Sequence, residues 1–285
     1  MLIEAREVNY TYLGGSNAAK CALTDVSLAV DDGEFLGLIG PTGSGKTTLV
    51  QILAGLVRPT SGLISFENSD IWREPRLLTK RRSLAGLVFQ EPEKQLFEMT
   101  VEEDIAFWPR NLGLDADEIS VRTKRALEAV GLDYELNAKR SPFELSGGEM
   151  RRVAIAGILV MAPKVLILDE PTVGLDPKGK VGLMEKIKKL NDDGTAIIFV
   201  SHDMDAIAEY TNRVIVLDKG KIVMDDAPLK IFSHGDLIKT IGLEVPVAIK
   251  IASRLRENGF QIDTGHLTIE QLERAILAAM GRQRV

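Results

Sequence analysis

Phe35-Leu36-Gly37-Leu38-Ile39-Gly40-Pro41-Thr42-Gly43-Ser44-Gly45-Lys46-Thr47 is the stretch from which the architecture follows. Residues 34–39 read as a short apolar strand entered from the turn Asp31-Asp32-Gly33. Gly40 to Thr47 fits the pattern G-x-x-x-x-G-K-[ST]. Residues 46–56 then place Leu49, Ile52, Leu53 and Leu56 at helical spacing. Strand, glycine-rich loop and helix in that order bring backbone N–H groups together around a phosphate. The glycines keep side chains out of the way, and the helix N-terminus adds a field that favours an anion. Lys46 is placed for the β- and γ-phosphates of a nucleotide, and Thr47 for Mg²⁺. The loop alone does not name a reaction, because kinases, GTPases and motors share it.

Outward from this loop, strand patterning covers residues 2–10, 22–30, 62–66 and 84–89, with a break at Gly14-Gly15. Residues 101–108, 118–130 and 147–159 have helical spacing and form a mostly helical insertion at about 91–162. Strands return at 165–168, 196–200 and 214–217, with helices at 177–190 and 204–210 between them. This alternation predicts a mainly parallel sheet covered by helices, an α/β fold. Lys219-Gly220-Lys221 is a hairpin turn into residues 222–224. Helical patterning at 245–257 and 268–279 flanks an expected strand at 260–262, and Thr268 with Gln271 has the form of a capping box. The predicted division is residues 1–230 and a C-terminal appendage at 231–285.

Asp169 and Glu170 end the apolar strand at 165–168. Beside a phosphate loop, Asp169 is placed to hold Mg²⁺ and Glu170 to prepare the attacking water. An ordinary solvated strand end has the same pattern. His202 follows the next strand and is placed to hydrogen-bond a γ-phosphate, although most lone histidines are structural. In parallel α/β sheets ligands gather at the carboxyl ends of strands, where Gly40, Asp169 and His202 all fall.

Leu145-Ser146-Gly147-Gly148-Glu149, followed by Met150-Arg151-Arg152, opens a helix with Ser146 as N-cap and two glycines exposing backbone N–H groups. Here the sequence resembles the ATPase domain of ABC transporters, whose signature is LSGGQ. Glu149 replaces the usual glutamine, and an anionic side chain near a triphosphate is electrostatically disfavoured. The resemblance implies ATP and Mg²⁺ as cofactors. It implies that Tyr12 stacks on adenine, that Gln90 touches Mg²⁺ and faces a membrane subunit, that Thr48 joins the ATP-binding set, and that Asp176 belongs to the D-loop. It further implies head-to-tail pairing, with ATP between the phosphate loop of one chain and Ser146, Gly147, Gly148 and Glu149 of the other.

Gln90-Glu91-Pro92-Glu93-Lys94-Gln95-Leu96-Phe97 narrows the resemblance to energy-coupling factor ATPases, and in form to the second of the two ATPases of vitamin-type modules. That resemblance implies three partners: a second ATPase (a copy or a paralogue), a transmembrane coupling protein and a small membrane substrate-binder. The coupling protein is expected in a groove lined by Leu96, Phe97, Ile105, Phe107 and Trp108, with the appendage strengthening the pair. It also implies a peripheral protein on the cytoplasmic face of a prokaryotic membrane. The alternatives are a cobalt or nickel importer of the same kind, a non-transport ABC ATPase, and a P-loop kinase, which has no reason to carry residues 145–149.

Composition agrees with these expectations. Of 285 residues, 45% are hydrophobic, enough to fill a core. The net charge of −6 gives no overall field for nucleic acid, and none is expected as a partner. Cys21 is the only cysteine, so no internal disulfide forms. No secretory signal is legible at the N-terminus, and no apolar run reaches the length that crosses a bilayer.

Overall fold

A four-stranded antiparallel sheet packs against one face of a six-stranded sheet. In chain order the strands are β1 (Ile3–Tyr12), β2 (Lys20–Val30), β3 (Phe35–Ile39), β4 (Ser61–Phe66), β5 (Ser69–Asp70), β6 (Ala85–Val88), β7 (Val165–Asp169), β8 (Ala196–Val200), β9 (Arg213–Asp218) and β10 (Lys221–Asp226). The smaller sheet runs β2-β1-β4-β5 and the larger β10-β9-β3-β8-β7-β6. The computed structural model describes residues 1–13, 19–73, 84–263 and 265–282. The expected break at Gly14-Gly15 lies outside the described residues.

In the larger sheet every pairing is parallel except β9 with β10. Every residue of β3, β6, β7 and β8 is buried. Such strands are apolar on both faces because both faces are covered. Ile197 and Phe199 point into one core, and Ala196, Ile198 and Val200 into the other. The second core is closed by α1 (Lys46–Leu53) and the smaller sheet. The first is covered by helices, including α2 (Val101–Asn111), α3 (Ala116–Ala129), α5 (Gly147–Leu159) and α6 (Pro177–Asp192). A short α4 (Tyr134–Asn137) lies between α3 and α5, and α7 (Met204–Tyr210) follows β8.

Parallel pairing in register decides where chemistry is placed. Val200 pairs with Leu38 of β3 and with Asp169 of β7, and Val88 of β6 pairs with Leu168. Gly40, Glu170, Ser201 and Gln90 therefore leave the sheet at one edge. Helix starts are set by local capping. Thr100, Asp115, Ser146, Asp176 and Asp203 each accept a backbone N–H of the first turn.

Several expectations need correction. Helix α1 stops at Leu53, because Gly55 turns the chain at φ 70°. Leu56 is therefore 46% exposed and does not share the buried face of Leu49, Ile52 and Leu53. Helix α2 runs on to Asn111 with Pro109 inside it. Residues 260–262 form no strand, since among the described residues no neighbouring strand pairs with them. Ile262 packs instead with Ala248, Ala252 and Leu272. These join α10 (Val247–Glu257) to α11 (Ile269–Arg282), after α8 (Pro228–Ser233) and α9 (Gly235–Thr240). The capping box forms as expected, with Gln271 N–H donating to Thr268 Oγ1 at 3.3 Å. The hairpin at Lys219-Gly220 also forms, with Lys221 opposite Asp218.

Phe199 is fully buried at the centre of the larger sheet, edge-on to Phe35 with ring centroids 6.3 Å apart. Phe199→Ala is expected to cost about 3–5 kcal/mol, read as a lowered urea midpoint.

Candidate functional site

Residues 40–45 wrap tightly enough to explain two of their glycines. A Cβ on Gly40 would lie 2.2 Å from the Leu217 carbonyl oxygen, and one on Gly45 would lie 2.6 Å from that of Ala22. Gly45 also holds φ 107°. The hairpin turn braces the loop from outside, with Gly220 N–H donating to the Ser44 carbonyl at 2.8 Å. Inside the loop, the Lys46 ammonium donates to the Gly40 carbonyl at 2.7 Å and to that of Pro41 at 3.1 Å. Ser44 Oγ is buried beside them without a hydrogen-bond partner. An unpaired buried hydroxyl and a buried cation at the head of a helix fit a polyphosphate.

Three groups from the neighbouring strand ends face this loop. Thr47 Oγ1 donates to Asp169 Oδ2 at 3.4 Å. One hydroxyl and one carboxylate suit Mg²⁺, which takes its remaining ligands from phosphate and water. Among the described residues no cluster of three His, Cys, Asp or Glu forms a self-contained metal cage. Glu170 follows directly, with its backbone at φ 54° and its N–H donating to the Val200 carbonyl at 3.0 Å. Its Oε1 is buried without a hydrogen bond and lies 3.6 Å from His202 Nε2.

The electrostatics follow from burial. Loss of water pushes the Glu170 carboxyl up to about 7, and the Asp169 charge adds to the effect. Burial also raises Asp169, against the Thr47 hydroxyl and the Lys46 charge. It lowers Lys46 against the attraction of both carboxylates, and it lowers His202, with Lys46 adding to that shift. Tyr12 meets the helix after the loop, its hydroxyl 2.8 Å from Thr48 Oγ1, and its ring is partly exposed.

Residues 145–149 do not reach the phosphate loop of their own chain. Ser146 caps α5, and Glu149 closes the box from the other side. Glu149 Oε2 accepts the Ser146 N–H at 2.9 Å and its hydroxyl at 2.7 Å. These bonds hold the Glu149 carboxyl below its usual range. Here is a local reason for glutamate at this position. Asp176 likewise caps α6, accepting the Gly179 N–H at 2.6 Å. Ser146, Gly147, Gly148 and Asp176 line a separate cleft of about 760 Å³, which no residue of 40–47 enters. One chain thus holds a loop with its carboxylates and, apart from it, a glycine-rich helix start.

Residues 23–173 match the family model described as ABC transporter. The chain belongs to the ABC transporter family. Relatives 46–48% identical over 97% of its length place it, within that family, among the energy-coupling factor ATP-binding subunits, which are ATPases coupled to transport. A Caldanaerobacter subterraneus relative named Energy-coupling factor transporter ATP-binding protein EcfA2 is 48% identical over 278 residues, covering 97% of both chains. Its namesake from Clostridium perfringens is 46% identical, covering 97% of this chain and 98% of its own. Among solved structures, cbiO1 of Clostridium perfringens, part of the ABC transporter complex cbiONQ, superimposes with a TM-score of 0.74. It is 36% identical and covers 90% of this chain and 97% of its own. A dimeric ATP-binding cassette solved with ADP and phosphate gives 0.70 at 31% identity, over 80% of this chain and 99% of its own.

Other features of this ABC subunit fall as follows. Gln90 is exposed just past β6. A groove of about 360 Å³ opens beyond it, with Leu96, Phe97, Phe107 and Trp108 among its lining residues. Ile105 is fully buried in the helical core and does not line the groove, which corrects the expectation for it. Phe97 and Trp108 are 56% and 60% exposed. Asp104 holds the approach by accepting the N–H groups of Phe97 and Glu98 at 2.8 and 2.9 Å. Sequence reasoning missed the pairing of Arg151 with Glu93, 58 positions apart, for which no local pattern exists. It also missed the approach of Thr240 and Ile241 to the outer rim of the phosphate loop.

The raised Glu170 pKa has a stability consequence. The group is neutral below its unfolded pKa of about 4.5, so burial then costs little. Between about 4.5 and about 7 the unfolded chain has given up this proton while the fold still holds it, so the nucleotide-free fold loses stability across that window and no further above it. Glu170→Gln mimics the neutral form. It is expected to be the more stable protein at pH 8, by on the order of 3 kcal/mol, with the gap closing towards pH 4.5. Urea titrations of both proteins across that range measure the gap.

Proposed function

We propose that this chain is the second-type ATPase of an energy-coupling factor importer that takes up a vitamin or another micronutrient. Support comes from residues 40–47, Asp169, Glu170 and His202 gathered at one sheet edge, with residues 146–149 facing elsewhere. That division is what a pair of chains would need if each completed the other's ATP site. The relatives at 46–48% identity favour this reading over a cobalt or nickel importer.

In the proposed mechanism Lys46 leaves the Gly40 and Pro41 carbonyls for the β- and γ-phosphates, and Ser44 Oγ gains its partner there. The backbone N–H groups of residues 42–48 bind the remaining oxygens, while Tyr12 lies against adenine. Thr47 and Asp169 would hold Mg²⁺, with Gln90 reaching it from β6. When bound, the ion neutralises charge on the phosphates. Glu170 orients the attacking water and accepts its proton, a task suited to a carboxyl titrating near neutral pH. His202 donates to the γ-phosphate, and Ser146, Gly147 and Gly148 of the opposing chain close over it.

The exposed rings of Phe97 and Trp108 support the groove as the proposed seat of an apolar segment from a transmembrane coupling protein. A membrane substrate-binder completes the assembly, and residues 231–285 contribute to pairing. In this reading these partners attach the chain to the cytoplasmic face, and among the described residues no helix is long and apolar enough to cross a membrane.

Purification from native membranes tests the assembly. An integral membrane protein should accompany the chain, and its loss on Trp108→Glu would tie the association to the groove. For the site, Glu170→Gln is expected to keep ATP binding while turnover falls about 10²-fold or more. Lys46→Ala is expected to weaken ATP binding itself. Calorimetry alongside phosphate release distinguishes the two effects.

A further inference from the structure

Arg151 lies in the second turn of α5 and is only 4% exposed. Its guanidinium joins two segments that the chain otherwise keeps apart. Nε and Nη2 grip the two Glu93 carboxylate oxygens at 3.0 and 2.8 Å. Nη1 donates to the carbonyls of Pro171, at 3.2 Å, and of Val173. Glu93 sits in the 3-10 turn Pro92–Gln95, three residues past Gln90, and the chain runs from it into Leu96 and Phe97 of the groove. Pro171 follows Glu170 directly.

Glu170 needs such support. At φ 54° it occupies a backbone region that non-glycine residues hold only where their surroundings impose it. On one side its N–H is tied to Val200. On the other, the turn at 171–173 is held by Arg151. Arginine suits the task because its planar fork presents five donors in fixed directions, so it can grip a carboxylate bidentately and still reach two carbonyls. A lysine carries one rotatable ammonium and cannot do both.

We propose that Arg151, acting with Glu93, is a positioning residue for ATP hydrolysis. It fixes the turn that aims Glu170 and links that turn to the segment entering the groove. Displacement of the groove segment then reaches Glu170 through one side chain. The inference rests on Glu170 being the group that prepares the attacking water.

The test uses the ATPase in its native assembly and compares wild type, Glu93→Gln, Arg151→Lys and the double variant. Turnover is expected to fall about 10- to 100-fold in Glu93→Gln, because a small misplacement of the base suffices. The ATP concentration giving half-maximal rate should stay within about 2-fold, since the phosphate loop is untouched. Arg151→Lys should behave alike, and the double variant should be no slower than Arg151→Lys alone, because both changes break one contact. Should the lysine variant fail to fold, Glu93→Gln decides the matter, with thermal melting confirming that the protein is intact. Wild-type turnover in Glu93→Gln overturns the inference. So does a fall in turnover matched by an equal rise in half-saturating ATP, or losses that multiply in the double variant. Glu170→Gln run beside them separates the two readings. Full turnover there removes the role given to Glu170, whereas an inactive Glu170→Gln beside a wild-type-like Glu93→Gln removes only the role given to Arg151.

Discussion

A parallel sheet buried on both faces leaves its functional groups few places to reach solvent. Strands β3, β6, β7 and β8 are covered above and below, so polar side chains are costly along their length and tolerable at their ends. Parallel register then sets all the carboxyl ends at one level. The loop at 40–47, the acidic pair and His202 meet at that level, and Gln90 leaves the sheet at the same edge.

That crowding shapes the electrostatics. Lys46, Asp169 and Glu170 are all partly dehydrated, and burial disfavours the charged form of each. The groups moderate one another, since the cation opposes the upward shift of both carboxylates. Even so, Ser44 Oγ and Glu170 Oε1 remain without hydrogen bonds. A polyphosphate and a water molecule are the partners of matching chemistry, so the protein is set up to be completed by what it binds.

How much of this was legible in the sequence depends on distance along the chain. The loop at 40–47, Asp169-Glu170 after four apolar residues, and the capping pair Thr268 and Gln271 are local patterns, and local patterns carry their geometry with them. Leu56 and residues 260–262 were misplaced for a different reason. Periodicity alone shows neither a helix stopped by Gly55 nor whether a strand has a neighbour to pair with. Ile105 and Phe107 look equivalent by composition, and only packing decides that one is core and the other lines a groove. The bond between Arg151 and Glu93 left no trace, since charged residues recur throughout a chain in which 27% are charged.

Ser146 carries one hydroxyl proton, and Glu149 accepts it at 2.7 Å. A hydroxyl with one proton cannot serve two anions at once. Any phosphate that an opposing chain presents to Ser146 must therefore displace a carboxylate from the same helix, and the two negative groups compete for one donor. The carboxylate is held three residues along the same helix, so it is always at hand for the hydroxyl. The start of α5 thus carries, on its own first turn, a tethered competitor for any anion that approaches Ser146.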